Sequence, residues 1–146
     1  MNTLKIKPLV PDFIGPKFGT EGAAGFDIFL QHSVDINRGA VTKISLGFAT
    51  EIPEGYMCLI VPRSGKGAKD GVQVRNTVGV IDSDYRGEWM AMLTIDGNDT
   101  YNIRSYGRGE ALLQGVLVKK PEFKIEYVGE LSETERGEGG FGSTGN

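Results

Sequence analysis

Between Gly79 and Glu88 (GVIDSDYRGE) the chain sets two aspartates, a serine, a tyrosine and an arginine between apolar runs. Asp and Ser are turn formers, so a hairpin turn explains the segment without further assumption. It also follows the strand-like Val78-Gly79-Val80-Ile81, which gathers Asp82, Asp84 and Tyr85 at one strand end, where an aspartate can activate water. Earlier, Val61-Pro62-Arg63-Ser64-Gly65-Lys66 closes an apolar run with a guanidinium and a hydroxyl. Helix starts and Arg both suit phosphate oxygens, and a capped helix with a solvated Arg reads equally well. It is not a Walker A loop, because the upstream glycine is missing. The last residues, Arg136 to Asn146 (RGEGGFGSTGN), combine a charged fork, a flat ring and hydroxyls among glycines. Those are parts of a clamp for an aromatic ring attached to phosphates, and equally the composition of a frayed terminus. Gly137 to Gly142 satisfies G-x-G-x-x-G literally, but no βαβ strand precedes it, so the dinucleotide reading fails.

Other chemistries are excluded by count. Cys58 is the only cysteine and His32 the only histidine, which rules out a disulfide framework and the usual Cys/His zinc sets. Cys58 lies inside Met57-Cys58-Leu59-Ile60-Val61 and is expected to be a buried, inert thiol. The net charge of −3 offers no basic surplus for a nucleic acid or a membrane, although a local polyanion pocket remains compatible with it. No apolar run approaches the ~18 residues of a membrane span, and the N-terminus lacks the apolar block of a signal peptide. The chain reads as soluble, cytoplasmic and held in a reducing compartment.

These residues must be positioned by strands. Glycine and proline supply 22 and 6 of 146 residues, about one in five, and each is costly inside a helix. The longest stretch free of both, Phe26 to Arg38, is aromatic and β-branched. With 39% hydrophobic and 24% charged residues the composition is globular, and the length suits one domain. Strand-like runs are expected at Leu4 to Lys7, Ala24 to Leu30, Ala40 to Thr50, Tyr56 to Val61, Val72 to Val74, Glu88 to Ile95, Ala111 to Val118 and Glu122 to Val128. Such spacing predicts an all-β sandwich or barrel. Only Ser64 to Asp70 has room for a helical turn or two, and Ile52-Pro53-Glu54-Gly55 and Asp96-Gly97-Asn98-Asp99 read as turns.

Two further segments, Ala24-Gly25-Phe26-Asp27-Ile28 and Gly109-Glu110-Ala111-Leu112-Leu113-Gln114, complete a set of five. Their order and spacing resemble those of the trimeric deoxyuridine triphosphatases (dUTPases), from residue 24 to residue 145. The resemblance implies a distorted jelly-roll β-barrel (a β-clip) over residues 1–128, a flexible Gly-rich arm over 129–146 that closes the site, and a homotrimer. Each of its active sites would draw on all three chains. It further implies Mg2+-assisted hydrolysis of dUTP to dUMP and pyrophosphate by in-line attack of water on the α-phosphorus. That reaction keeps uracil out of DNA and supplies dUMP for dTTP synthesis.

Residue by residue, the resemblance makes Asp82 the general base and Tyr85 the surface under the deoxyribose, too close for a 2′-hydroxyl. Asn76, across a hairpin from Asp82, would read uracil with backbone groups near Gly79, since an amide donates and accepts at once. Arg63, Ser64, Gly65 and Gln114 would contact phosphates. Arg136, Ser143 and Thr144 would take the γ-phosphate, Gly142 would contact the substrate beside them, and Phe141 would lie over the uracil. Mg2+ would be held by phosphates and water, with Asp27 touching its water shell. The fourth segment departs from the family pattern: Ala111 stands where an Arg is usual, and the stretch Tyr101 to Arg108 is longer, which makes Arg104 or Arg108 a candidate replacement charge. Two alternatives share this reading's features, a dCTP deaminase of the same fold and a dUTP-responsive regulatory protein.

Overall fold

The computed structural model describes residues 2–96 and 100–140. It is all-β apart from one short helix. Strands β1 (Lys5–Pro8), β2 (Lys17–Phe18), β3 (Phe26–Phe29), β4 (Val34–Asn37), β5 (Thr42–Ser45), β6 (Phe48–Glu51) and β7 (Tyr56–Pro62) precede helix α1 (Ser64–Asp70). After it come β8 (Val72–Val74), β9 (Gly79–Ile81), β10 (Met90–Ile95), β11 (Ile103–Tyr106) and β12 (Ala111–Lys119). Every pairing is antiparallel. The described strands form a five-stranded sheet, β2-β3-β12-β7-β9, a three-stranded sheet, β5-β10-β8, and the pairs β1-β6 and β11-β4, with no closed barrel among them.

The core follows the two-residue period of strands facing a common interior. Phe26 and Ile28 of β3, Cys58 and Ile60 of β7, and Ala91, Leu93 and Ile95 of β10 are buried, while Met92 between them is exposed. Phe48 and Trp89, both fully buried, stack with ring centroids 4.9 Å apart, and Phe13 lies 5.8 Å from Phe48. The Trp89 indole donates to the Thr50 hydroxyl at 3.0 Å, so burying its N–H costs little. Gly115 has a packing reason: a Cβ there would overlap the Phe26 ring, which crosses β12 at that point.

Helix α1 spans the residues expected of it. Gly71, at φ 69°, closes it in the left-handed conformation, with its N–H on the Lys66 carbonyl. The Ile52 to Gly55 turn also forms, with the Tyr56 N–H on the Pro53 carbonyl at 3.1 Å. Of the Asp96 to Asp99 turn, Gly97, Asn98 and Asp99 lie outside the described residues.

Three expectations are corrected. The run from Ala40 to Thr50 is two strands in different sheets, because the chain turns a corner at Gly47. There φ is 76° and a side chain would collide with Gln31 and Val10. The segment holding Asn76 is not a paired hairpin, since β8 bonds to β10 and β9 to β7, and the turn between them carries the chain from one sheet to another. Glu122 to Val128 is no strand here. Its alternating Phe123, Ile125 and Tyr127 are 78%, 77% and 95% exposed, because the segment meets no strand edge within the chain.

Two consequences are measurable. Gly115→Ala overpacks the Phe26 contact and is expected to lower stability by about 1–3 kcal/mol, read from the denaturant midpoint. Burial pushes the Cys58 thiol up to about 12, so at pH 8 the native thiol should resist aromatic disulfide reagents and react only after denaturation.

Candidate functional site

Three neighbouring strands bring one group of the expected residues together. Asp27 of β3 pairs with Gln114 of β12, which pairs in turn with Val61 of β7, so the row shares one face of the sheet. Arg63 follows two residues after Val61 in extended conformation, anchored by its N–H on the Leu112 carbonyl at 2.9 Å. Its Nε donates to Asp27 Oδ1 at 2.9 Å, an ion pair in which the two side chains are 43% and 21% exposed. Just before β3, Gly25 lets the chain pass close to β12, since a Cβ there would meet the Gly115 carbonyl at 2.9 Å and Gln114 Oε1 at 3.3 Å. Ser64 and Gly65 are exposed at the start of α1.

Beside them stand two lysines that the sequence reading did not single out. Lys66 and Lys69 line, with Arg63, Ser64, Gly65 and Asp70, a cavity of about 440 Å³. Lys66 reaches Asp70 at 3.5 Å and Glu110 at 3.4 Å and lies 4.7 Å above the Tyr106 ring. Burial, and then the hydrogen bond to Asp70, hold the Tyr106 phenol above its usual range. Arg104 is 3.9 Å from Asp70 and stacks 4.4 Å from the Tyr101 ring centre, while Arg108 donates to the Asp12 carbonyl. Lys66 is a further cation held next to Ala111, through Glu110. The only signal for it in the sequence was a lysine inside the Pro62 to Lys66 run.

A second group surrounds the turn between β8 and β9. Asn76 and Gly79 line a cavity of about 390 Å³ with Ile60, Val74, Val80 and Met90. The Asn76 amide donates to the Val78 carbonyl at 3.1 Å, which uses one of its two N–H groups and leaves its oxygen and the other N–H for a ligand. Gly79 lies against Ile60, where a side chain would come within 3.1 Å of Ile60 Cβ.

Asp82 and Tyr85 occupy the loop after β9. Arg86 Nη1 donates to the carbonyls of Ser83 at 2.7 Å, Tyr85 at 3.2 Å and Thr50 at 3.5 Å, holding the loop's shape. The Tyr85 hydroxyl donates to the Glu88 carbonyl at 3.0 Å. Ile81 pairs with Cys58, and continuing that register brings Asp82 level with Met57, six residues before Arg63. At about 3.3 Å per residue, Asp82 and Arg63 of one chain lie about 20 Å apart along β7. Arg136 lies in an exposed turn where its Nε donates to the Gly139 carbonyl at 2.8 Å. Phe141, Gly142, Ser143 and Thr144 lie outside the described residues.

A divalent cation finds no protein cage, since among the described residues no group of three carboxylate, thiol or imidazole ligands converges. A single carboxylate such as Asp27 could meet only the water shell of a hydrated Mg2+ held by waters and phosphates. Among the described residues no helix is long and apolar enough to cross a membrane.

The family model for dUTPase matches residues 12–145. The deoxyuridine 5′-triphosphate nucleotidohydrolase of Nautilia profundicola is 44% identical over 142 residues, covering 97% of this chain and 98% of that protein. The Bdellovibrio bacteriovorus protein of the same name is 44% identical over 146 residues, covering 97% and 95%. Among solved structures, the Staphylococcus bacteriophage 80alpha dUTPase with dUPNHPP superposes with a TM-score of 0.86 at 27% identity, covering all of both chains. It is described as controlling the transfer of virulence genes by a proto-oncogenic G protein-like mechanism. A dUTPase mutant of phage phi11 of S. aureus, solved for the coordination of a structural Mg(II) ion, gives a TM-score of 0.78 at 26% identity over 88% of this chain and 98% of that one. With one family model spanning all five sequence segments and relatives this similar over nearly their whole length, the chain belongs to the dUTPase family.

Proposed function

We propose that this chain hydrolyses dUTP to dUMP and pyrophosphate, as a homotrimer whose active sites are each assembled from more than one chain. The observation that carries the reading is the shared sheet face of Asp27, Gln114 and Arg63, a paired acid and base beside an amide, in a member of the dUTPase family. Arg63, Ser64, Gly65 and Gln114 bind the phosphates of dUTP, with Lys66 and Lys69 adding positive charge to the same cavity. Bound Mg2+ would neutralise the phosphate oxygens and favour departure of pyrophosphate. Asp27 would hydrogen-bond to its waters, giving up Arg63 as the phosphates engage that guanidinium.

Asp82 takes the proton of the attacking water. The new P–O bond forms at the α-phosphorus as the bond to the β-phosphate oxygen breaks in line. Asn76 and the backbone near Gly79 read the uracil edge, and a cytosine, with donor and acceptor reversed, leaves buried groups unpaired. Tyr85 lies under the deoxyribose. Arg136, Ser143 and Thr144 close on the γ-phosphate, with Gly142 contacting the substrate beside them and Phe141 over the base. The deaminase alternative is not retained, because the matching family and the curated relatives are nucleotidohydrolases.

The span of about 20 Å between Asp82 and Arg63 along β7 supports a composite site. A water on Asp82 cannot attack a phosphorus whose neighbouring phosphate is held by Arg63 of the same chain. The exposed, strand-patterned Phe123, Ile125 and Tyr127 support an assembly in which another chain supplies the missing partner. Short antiparallel strands that change sheets at Gly47 and at Asn76 are compatible with a jelly roll over residues 1–128. The unbroken exposure of residues 119–138 fits a chain end that leaves its own subunit to become the arm of 129–146. The unbridged, buried Cys58 suits a cytoplasmic compartment. A dUTP-responsive switch, favoured by the role stated for the phage 80alpha protein, would coexist with catalysis.

Asp82→Asn is expected to keep affinity for a non-hydrolysable dUTP analogue while kcat falls by about 10²–10⁴, measured by calorimetry and pyrophosphate release. Retained turnover would remove the proposed base. Chain sharing has a direct readout in Asp82→Asn and Arg63→Ala chains, each inactive alone. Co-expressed at equal levels they should recover about a quarter of wild-type activity, because each site draws the two residues from different chains at random. A mixture as inactive as its parents would mean that one chain supplies both residues.

A further inference from the structure

We propose that Gly87 is a positioning residue for substrate specificity: the absence of a side chain there seats the Tyr85 ring, and through it the rejection of a 2′-hydroxyl. The inference rests on the reading that Tyr85 lies under the deoxyribose, and assigns a determinant to that contact.

Gly87 is not required by its own backbone. Its φ lies outside the left-handed region, unlike those of Gly47, Gly55 and Gly71, so an L-residue could adopt the same conformation. The obstacle is the ring two residues earlier. A Cβ on residue 87 would stand 2.6 Å from Tyr85 Cζ and 2.9 Å from Cε2, and would overlap the hydroxyl oxygen. The ring therefore folds back over Gly87 and is tethered there by its hydroxyl on the Glu88 carbonyl at 3.0 Å.

What yields when a methyl is added is decided by how the two parts of the loop are held. The backbone is fixed by Arg86 Nη1 on the Ser83 and Tyr85 carbonyls, and by fully buried Trp89, whose indole bonds Thr50 and whose N–H bonds the Phe48 carbonyl at 2.9 Å. The Tyr85 side chain is 43% exposed, with one terminal hydrogen bond. An added methyl thus displaces the ring and leaves the loop where it is. The fold loses little, but the sugar surface moves. A 2′-hydroxyl differs from hydrogen by one oxygen, so a displacement of about 1 Å is enough to admit it.

The test measures kcat and KM for dUTP and UTP on wild type, Gly87→Ala, Tyr85→Ala and Gly87→Ala/Tyr85→Ala. Gly87→Ala is expected to lose about tenfold or more of the preference for dUTP, through a raised KM for dUTP with kcat changed much less, because Asp82 stays in place. In the Tyr85→Ala background the same change should have no further effect on the preference, the non-additivity of residues acting through one contact. An unchanged preference in Gly87→Ala, while Tyr85→Ala relaxes it, overturns the role of Gly87 and leaves the sugar-surface reading standing. If neither variant relaxes it, the reading of Tyr85 falls as well. Should Gly87→Ala fail to fold while Tyr85→Ala folds, the ring has not yielded to the methyl, which assigns the glycine to the fold and overturns the proposal.

Discussion

Strand β7 is bonded along both edges, to β12 over seven register pairs and to β9 over three. A strand paired on both sides cannot slip, because a shift of one residue would turn buried Cys58 and Ile60 to the opposite face. The lock fixes more than the core. Arg63 leaves one end of β7 and Asp82 leaves β9 level with the other, so the residues proposed to bind phosphate and to activate water are held apart within one chain by the length of a strand.

The same sheet decides how charge is distributed. Asp27, Gln114 and Arg63 come from positions far apart in sequence and meet only because β3, β12 and β7 lie side by side. Asp27 neutralises Arg63, which keeps a guanidinium at the end of a buried strand from standing unpaired. A surface pair of this kind is worth at most about 1 kcal/mol, so a triphosphate can displace it at small cost. Around the opposite end, Trp89 and Phe48 anchor backbone while leaving Tyr85 partly in solvent. The Tyr85 ring is held over Gly87 by its hydroxyl on the Glu88 carbonyl. Among the described residues no buried side-chain polar atom lacks a hydrogen-bond partner.

Much of this was legible in the residues. The glycine and proline spacing excluded long helices, and α1 ran where Gly71 allowed it to end. Strand-like runs between turn signals identified β3, β7, β10 and β12. Alternation misled at Glu122 to Val128, where the pattern of a strand exists without an edge to pair with. It was silent on β4 and β11, where Arg104 lies opposite Ile36 in a pair that buries mainly Ile36 and Tyr106. The corner at Gly47 and the change of sheet at Asn76 were equally hidden, since a turn residue reports a bend and not which edge the chain meets after it. Lys66 was missed for a related reason: its partners Asp70, Glu110 and Tyr106 converge only in the fold.

The amino-acid sequence by itself determined the class of fold, the family and the identity of the residues that can do chemistry, because those depend on local periodicity and on residue types in fixed order. Only the tertiary structure decided that Asp27 lies against Arg63, that Asp82 lies a strand's length away, and that Gly87 accommodates the ring of Tyr85. Those are distances between residues whose backbones are brought together by pairing and burial, and no spacing along the chain encodes them.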